Sequence, residues 1–510
     1  MIKQAVVFDN ASNNREFLKT GDANDCVPRK FEGDSVVCVC NATYCDTTPL
    51  NNPVVPETGS FYWYVSSKDG LRLKFSKGTF NDSSSSGVNL ILDSTSRFQT
   101  IHGFGGSFTD SAGLNIKKLS PETQDQLLRS YFCPKEGSGY TLGRVPIGGS
   151  DFSTRPYTYD DFSNDKNLEH FALQMEDYDY KIPLMKKARE MNPEIRYVSA
   201  AWTAPPWMKT NDNYTGFLKD EYYQTFADYL VKFLDEYEKN GVEIWGISTG
   251  NEPANAFFPF YINKMGWTPT TVAKWVAENI GPTIAKSQHN RTVLLALDDQ
   301  RFNLPWYIDI MFRNKETEKY IAGIAVHWYW DTYTSISRID RTHEKHPDKF
   351  IIMTEACAGS AVWANPKVLL GSWSRGEQYI LNIIEDLNHW ITGWIDWNLA
   401  LDKTGGPNWV KNFVDSPIIV NPETDEFFKQ PMYYALKHFS KFIKPGAVRI
   451  SISDTNNIKS VAVATPTKEI VIVLYNMKHM AQTITINDLQ RGKMTLELPP
   501  YSLHTIIYSQ

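Results

Sequence analysis

The chain has 510 residues, 42% of them hydrophobic and 22% charged, a balance that excludes disordered, collagen-like and coiled-coil architectures. At roughly 150 residues per domain the length predicts about two to four domains. With 52 Lys plus Arg against 58 Asp plus Glu the net charge is −6, there is no long basic run, and the composition argues against a nucleic-acid partner.

In chain order, Met1 to Leu18 shows only the short apolar patch Ala5 to Phe8, so no export signal is visible. Cys26, Cys38, Cys40 and Cys45 then fall within twenty residues. Their spacing lacks the paired knuckles of a zinc site, so two short-loop disulfides are favoured over a metal. Sequons at Asn10, Asn41, Asn81, Asn213 and Asn290 suit a secretory-pathway chain. Phe61 to Leu92 reads as β structure with an Asp69-Gly70 hairpin signal and a flexible loop at Ser83 to Ser86.

From Phe98 to Ala400, short β-rich apolar runs alternate with amphipathic helices. Eight strands are expected, near Ile101–Phe108, Tyr140–Ile147, Ile195–Thr203, Val242–Ser248, Val293–Leu297, Ile321–Tyr329, Phe350–Thr354 and Ile391–Trp397. Tyr222, Phe226, Tyr229, Leu230, Phe233, Leu234 and Tyr237 mark one helix that Gly241 stops, and Ser120-Pro121-Glu122 opens another. Eight such units predict a (β/α)8 barrel, with a doubly wound sheet as the alternative. Beyond Val448, strands recur every 8 to 12 residues as in an antiparallel sandwich, which the Phe61 to Leu92 strands are expected to join.

Barrel active sites collect at the C-terminal ends of the strands. Strand four leads into Gly250-Asn251-Glu252-Pro253 and strand seven into Glu355-Ala356-Cys357, so two carboxylates are expected to face each other as cleavage of a glycosidic bond requires. Trp202, Trp207, Trp328, Tyr329, Trp394 and Trp397 lie at or near strand ends, where aromatic faces suit sugars or lipid tails. Three other patterns compete. Gly246-Ile247-Ser248-Thr249-Gly250 fits a nucleophile elbow that would make Ser248 the base-activated serine of an esterase, but the residues that follow make a poor helical turn. His343-Glu344-Lys345-His346 lacks zinc-protease spacing and reads as a solvated turn. Gly103 to Gly106 fits no phosphate loop and reads as a tight turn at the end of strand one.

The stretches HGFGGSFTDSAGLNI (102–116), WTAPPWMKT (202–210), NEP (251–253), LDDQR (297–301), EACAGS (355–360) and GWIDWNLALDKTGGPNWVKNFVDSPIIV (393–420) carry a resemblance to the glucosylceramide-cleaving enzymes of glycoside hydrolase family thirty. So does SVVCVCNATYCD at 35–46. The resemblance implies a TIM barrel with an immunoglobulin-like β sandwich and a small N-terminal antiparallel sheet pinned by Cys26–Cys38 and Cys40–Cys45 bridges. The expected domains are a disordered extension over 1–25, which the resemblance does not cover, a small β domain over 26–50 with part of 400–430, a sandwich from 51–95 and 446–510, and a barrel from 96–400 and 430–445.

By the same resemblance Glu252 is the acid/base and Glu355 the nucleophile of a retaining, cofactor-free and metal-free hydrolysis of glucosylceramide to glucose and ceramide. Asn251 is implied to bind the sugar 2-hydroxyl, with Asp151, Trp202 and Trp397 also binding substrate and Arg144, His327 and Tyr329 supporting. It further implies a lysosomal or secreted enzyme, peripheral on a lumenal membrane surface, helped by a saposin-type activator and a sorting receptor. Protonating all ten His residues at about pH 5 would move the net charge from −6 to +4 and favour anionic lipid.

Overall fold

The computed structural model describes residues 23–51, 53–81, 87–259 and 261–510. Most of the expected N-terminal extension, the Ser83 to Ser86 loop and the Asn10 sequon lie outside the described residues. Eight parallel strands close into a barrel in chain order: Gly103–Ser107, Leu142–Ile147, Arg196–Ala201, Ile244–Ser248, Val293–Gln300, Ile321–His327, Phe350–Glu355 and Ile391–Asn398. The eighth pairs with the first, which rules out the doubly wound alternative. Leu142, Val198, Leu295, Ala325, Ile352 and Ile395 fill the interior, so the barrel is a packed core with its chemistry confined to the rim.

The glycines of strand one are not a turn. Gly103 to Gly106 lie within the strand, where a Cβ on Gly105 would stand 1.8 Å from the Leu142 carbonyl oxygen. Their missing side chains let strands one and two close. The expected turn at His343 to His346 is instead the end of the helix Ser337–Lys345: His343 stacks on Trp390 and His346 faces Asp309. Outside the barrel, Tyr223–Lys239 buries Phe226, Tyr229, Leu230, Phe233, Leu234 and Tyr237 along one face, and Gly241 turns the chain away at φ +84°.

Nine strands form the second sheet, in the order Gly492–Leu498, Gln482–Asp488, Val88–Thr100, Val448–Ile452, Ile458–Ala464, Glu469–Asn476, Ser502–Ser509, Ser60–Ser67 and Lys74–Thr79. Alternation along these strands serves two cores. Phe61, Trp63, Ile470 and Ile472 face the interior of the sandwich, whereas Tyr62, Tyr64, Val471 and Val473 join the core shared with the barrel. The strand Val88–Thr100 runs past residue 95, the expected boundary, because its polar C-terminal half still pairs with Val448–Ile452. Helix Pro431–Ser440, buried along its length, packs between Gly103–Ser107 and Ser502–Ser509. A third, small sheet orders Pro28–Lys30, Val36–Asn41, Glu426–Lys429 and Ile418–Asn421, with Cys26 bonded to Cys38 and Cys40 to Cys45. Among the described residues no helix is long and apolar enough to cross a membrane.

Candidate active site

Glu252 follows strand four across a short loop, and Glu355 is the last residue of strand seven. Atoms offered by Glu252, His327 and Glu355 lie within 4.8 Å of one another at the C-terminal mouth. That is compatible with the roughly 5–5.5 Å between carboxyl groups in retaining glycosidases.

Arg144, on strand two and fully buried, organises the floor of the site. Its guanidinium donates to Glu355 Oε2, to Asn251 Oδ1 at 2.7 Å and to Asp298 Oδ2 at 3.0 Å. Burial favours its neutral form, but the charges of Asp298 and Glu355 outweigh burial and hold it cationic. Tyr329 donates to Glu355 Oε1 at 2.7 Å, so both oxygens of that carboxylate have a donor. Burial, then the neighbouring Cys357 thiol and Glu355, keep the phenol protonated.

Around Glu252, Oε1 faces Gln300 Nε2 at 2.7 Å and His327 Nδ1 at 2.9 Å, and Oε2 accepts from Asn255 Nδ2 at 2.5 Å. The other ring nitrogen of His327 faces Asp298 Oδ1 at 3.1 Å. Burial would discharge this ring. The charge of Glu355 and the hydrogen bonds to Asp298 and Glu252 overcome it and raise His327 to about 10. Asp298 is in turn held far below the ordinary carboxylate range, since Arg144 and His327 more than offset its burial.

Asp151, beyond strand two, accepts from Asn408 and Asn412 at 3.2 Å each; burial, then the charge of Glu355, raise it to about 7. Trp202 and Trp397 stack at 5.3 Å with the Arg144 guanidinium 5.0 and 5.4 Å from their ring centres. The structure therefore brings together Arg144, Asn251, Glu252, His327, Tyr329 and Glu355, with Trp202 and Trp397 against Arg144. Trp207, Trp328 and Trp394 are packing residues instead: Trp207 donates to the Asp160 carbonyl, Trp394 to Asn382, and Trp328 packs edge-on to Tyr379 and Trp394. Ser248 is buried, its hydroxyl accepts from the Gly250 N–H, and the chain leaves it for a 3-10 turn at Pro253–Phe257, so no nucleophile elbow forms.

Sequence reasoning missed Asn255, Asp298, Asp299, Gln300 and Thr354, which donates to Asp298 at 2.6 Å. The signal was the run Asp-Asp-Gln-Arg after Leu297. It looks like the polar end of a strand, yet Asp298, Asp299 and Gln300 are buried inside it.

A closed parallel barrel that sets two glutamates this close at its mouth, each fixed by its own donors, is the architecture of a glycoside hydrolase. The model of the glycosyl hydrolase family 30 TIM-barrel domain matches residues 101–443 and that of the family 30 beta sandwich domain residues 446–506, and this chain belongs to glycosyl hydrolase family 30. It is 43% identical to the lysosomal acid glucosylceramidase of Mus musculus, over 95% of this chain and 96% of that protein. It is 40% identical to putative glucosylceramidase 2 of Caenorhabditis elegans, over 93% of each. Among solved structures it is similar to SrfJ from Salmonella typhimurium, with a TM-score of 0.82 and 27% identity over 88% of this chain and all of that one.

Proposed function

We propose that this chain is a retaining β-glucosidase that hydrolyses glucosylceramide to glucose and ceramide, with Glu355 as nucleophile and Glu252 as acid/base. The observation that carries the reading is the approach of these two carboxylates to within 4.8 Å, supported by the mouse and nematode glucosylceramidase relatives. In the first step a Glu355 oxygen attacks the anomeric carbon while the bond to the ceramide oxygen breaks and the Glu252 proton passes to that oxygen. A glucosyl ester on Glu355 results. In the second step Glu252, now a carboxylate, takes a proton from water as the water oxygen attacks the same carbon, which releases glucose and restores both groups. Arg144 and Tyr329 stabilise Glu355 as it leaves. Asn251, its carbonyl occupied by Arg144, offers its amide N–H to the sugar 2-hydroxyl and so orients the ring over Glu355.

The same reading places the enzyme in the lysosome, working on a lumenal membrane surface with a saposin-type activator and delivered by a sorting receptor. Exposed Phe257, Trp330, Tyr333 and Trp363, on loops after strands four, six and seven, support a lipid-facing mouth. The test is covalent labelling with a glucose-configured cyclitol epoxide at about pH 5, followed by peptide mass spectrometry. An adduct on Glu355 is the expected result; an adduct elsewhere, or none on folded protein, overturns the assignment.

A further inference from the structure

We propose that Asp299 is a positioning residue for the acid/base step, clamping the loop after strand four so that Glu252 stays in its proton-donating orientation. The inference rests on the role of Glu252 given above. Glu252 has φ +44° and ψ +59°, a left-handed conformation that disfavours a residue with a side chain and persists only where its surroundings hold it.

Three consecutive residues of strand five do the holding. The Asp298 carbonyl accepts the Glu252 backbone N–H at 2.9 Å. Asp299 Oδ2 accepts the N–H of Ala254 at 3.0 Å. Gln300 Nε2 donates to Glu252 Oε1 at 2.7 Å. Because Pro253 lacks an N–H, Ala254 carries the first free donor of the turn that follows Glu252, and Asp299 is its partner. The other oxygen, Asp299 Oδ1, accepts the Gln300 N–H at 2.7 Å, so one carboxyl ties the loop to the residue that holds the Glu252 side chain.

Strand five is shaped for this task. Leu297 and Asp298 adopt φ +73° and +54°, and pairing with strand six skips between Leu297 and Asp299. The irregularity aims Asp298 at Arg144 and His327 and Asp299 at the loop. Both Asp299 oxygens accept backbone N–H groups, so it works on substrate through Glu252. Burial, then the charge of Glu252, push its carboxyl up from the usual carboxylate range.

A misplaced proton donor is felt only by leaving groups that need the proton. Asp299→Ala, which removes both contacts, is expected to lower kcat/KM for an alkyl β-glucoside on the order of 10- to 100-fold. For dinitrophenyl β-glucoside, whose leaving group departs unprotonated, the loss is expected to be under about 3-fold. Asp299→Asn keeps one acceptor and should show the same selectivity at smaller amplitude, which also serves if the alanine variant does not fold. Stoichiometric cyclitol-epoxide labelling of Glu355 verifies that each variant is folded. Equal losses on both substrates, or none on either, overturn the proposal. Failure of wild-type protein to label, by contrast, overturns the functional reading beneath it.

Discussion

His327, under the barrel mouth, and His504, in the sheet beside the barrel, are both fully buried, yet their surroundings drive them to opposite charge states. Burial alone lowers the basicity of either ring. At the mouth, Glu355, Asp298 and Glu252 reverse that and raise His327 to about 10. In the sheet no carboxylate intervenes: Trp63 Nε1 donates to His504 Nδ1 at 3.0 Å, Ser502 Oγ lies 2.7 Å from Nε2, and burial pushes the ring down to about 3. His438, on the buried helix between the two domains, has hydroxyl partners too, Thr505 and Ser66 at 2.8 Å each, and is likewise held neutral. At the mouth, buried charge thus sits against the carboxylates that do the chemistry, whereas the domain contact made by His438 is a pair of neutral hydrogen bonds. Buried charges that lose a partner are costly, whereas neutral pairs are cheap to keep and cheap to lose.

The comparison breaks most visibly at His327. His327→Gln leaves Glu252 and Asp298 without the cation between them. Activity on glucosylceramide is expected to fall on the order of 10²-fold, as when a preorganised donor is lost, and stability by about 3–5 kcal/mol. The pH dependence identifies the cause. Because the folded-state value of about 10 lies above the unfolded one, the stabilisation by His327 is complete below about pH 6.5 and drains away as pH rises toward 10. Urea unfolding at about pH 6 and pH 8 should therefore show the variant's deficit shrinking by about 2 kcal/mol at the higher pH. A deficit that stays constant would mean that the ring is uncharged.

How much of this is legible before folding follows from the same contrast. Glu252 and Glu355 can be found because each follows a β-rich apolar run, and a parallel barrel puts all such ends on one rim. Sequence cannot show which side chains meet across that rim. Arg144 reaches partners 107, 154 and 211 residues away, and only barrel closure makes them neighbours. Asp298 and Asp299 stay hidden for a local reason: the left-handed pair at Leu297 and Asp298 breaks the two-residue period on which strand reading depends, so the expected strand stops at Leu297. The glycines of strand one mislead in the opposite sense, since their usual meaning is a turn and here they permit close strand packing.

A sharper, smaller effect is expected at His504. Its folded-state value lies below the unfolded one, so wild-type protein loses stability as pH falls from about 6.5 toward 3 while the unfolded chain takes up the proton. His504→Gln removes that uptake. Relative to wild type the variant should gain about 2 kcal/mol between about pH 7.5 and pH 5, whatever its offset at neutral pH. Thermal unfolding across that range checks it; parallel curves would show that His504 is protonated in the folded protein and that the two regions do not differ as described.

The smallest effect tests the neutrality of the domain interface directly. Thr505→Val preserves shape and removes the hydroxyl that faces His438 Nδ1 and also donates to the His438 carbonyl at 3.2 Å. The expected cost is about 1 kcal/mol, the net worth of an ordinary hydrogen bond with some penalty for the stranded nitrogen. Burial first, and then the neighbouring His504 and Lys437, hold the His438 ring well below its usual range, so the neutral ring is the favoured form in the folded protein. The penalty should then be the same at about pH 5 and pH 7.5, unlike the His327 deficit. A penalty that vanished on acidification would mean that the freed ring had taken up a proton, and that one hydroxyl was all that separated this interface from the charged mouth of the barrel.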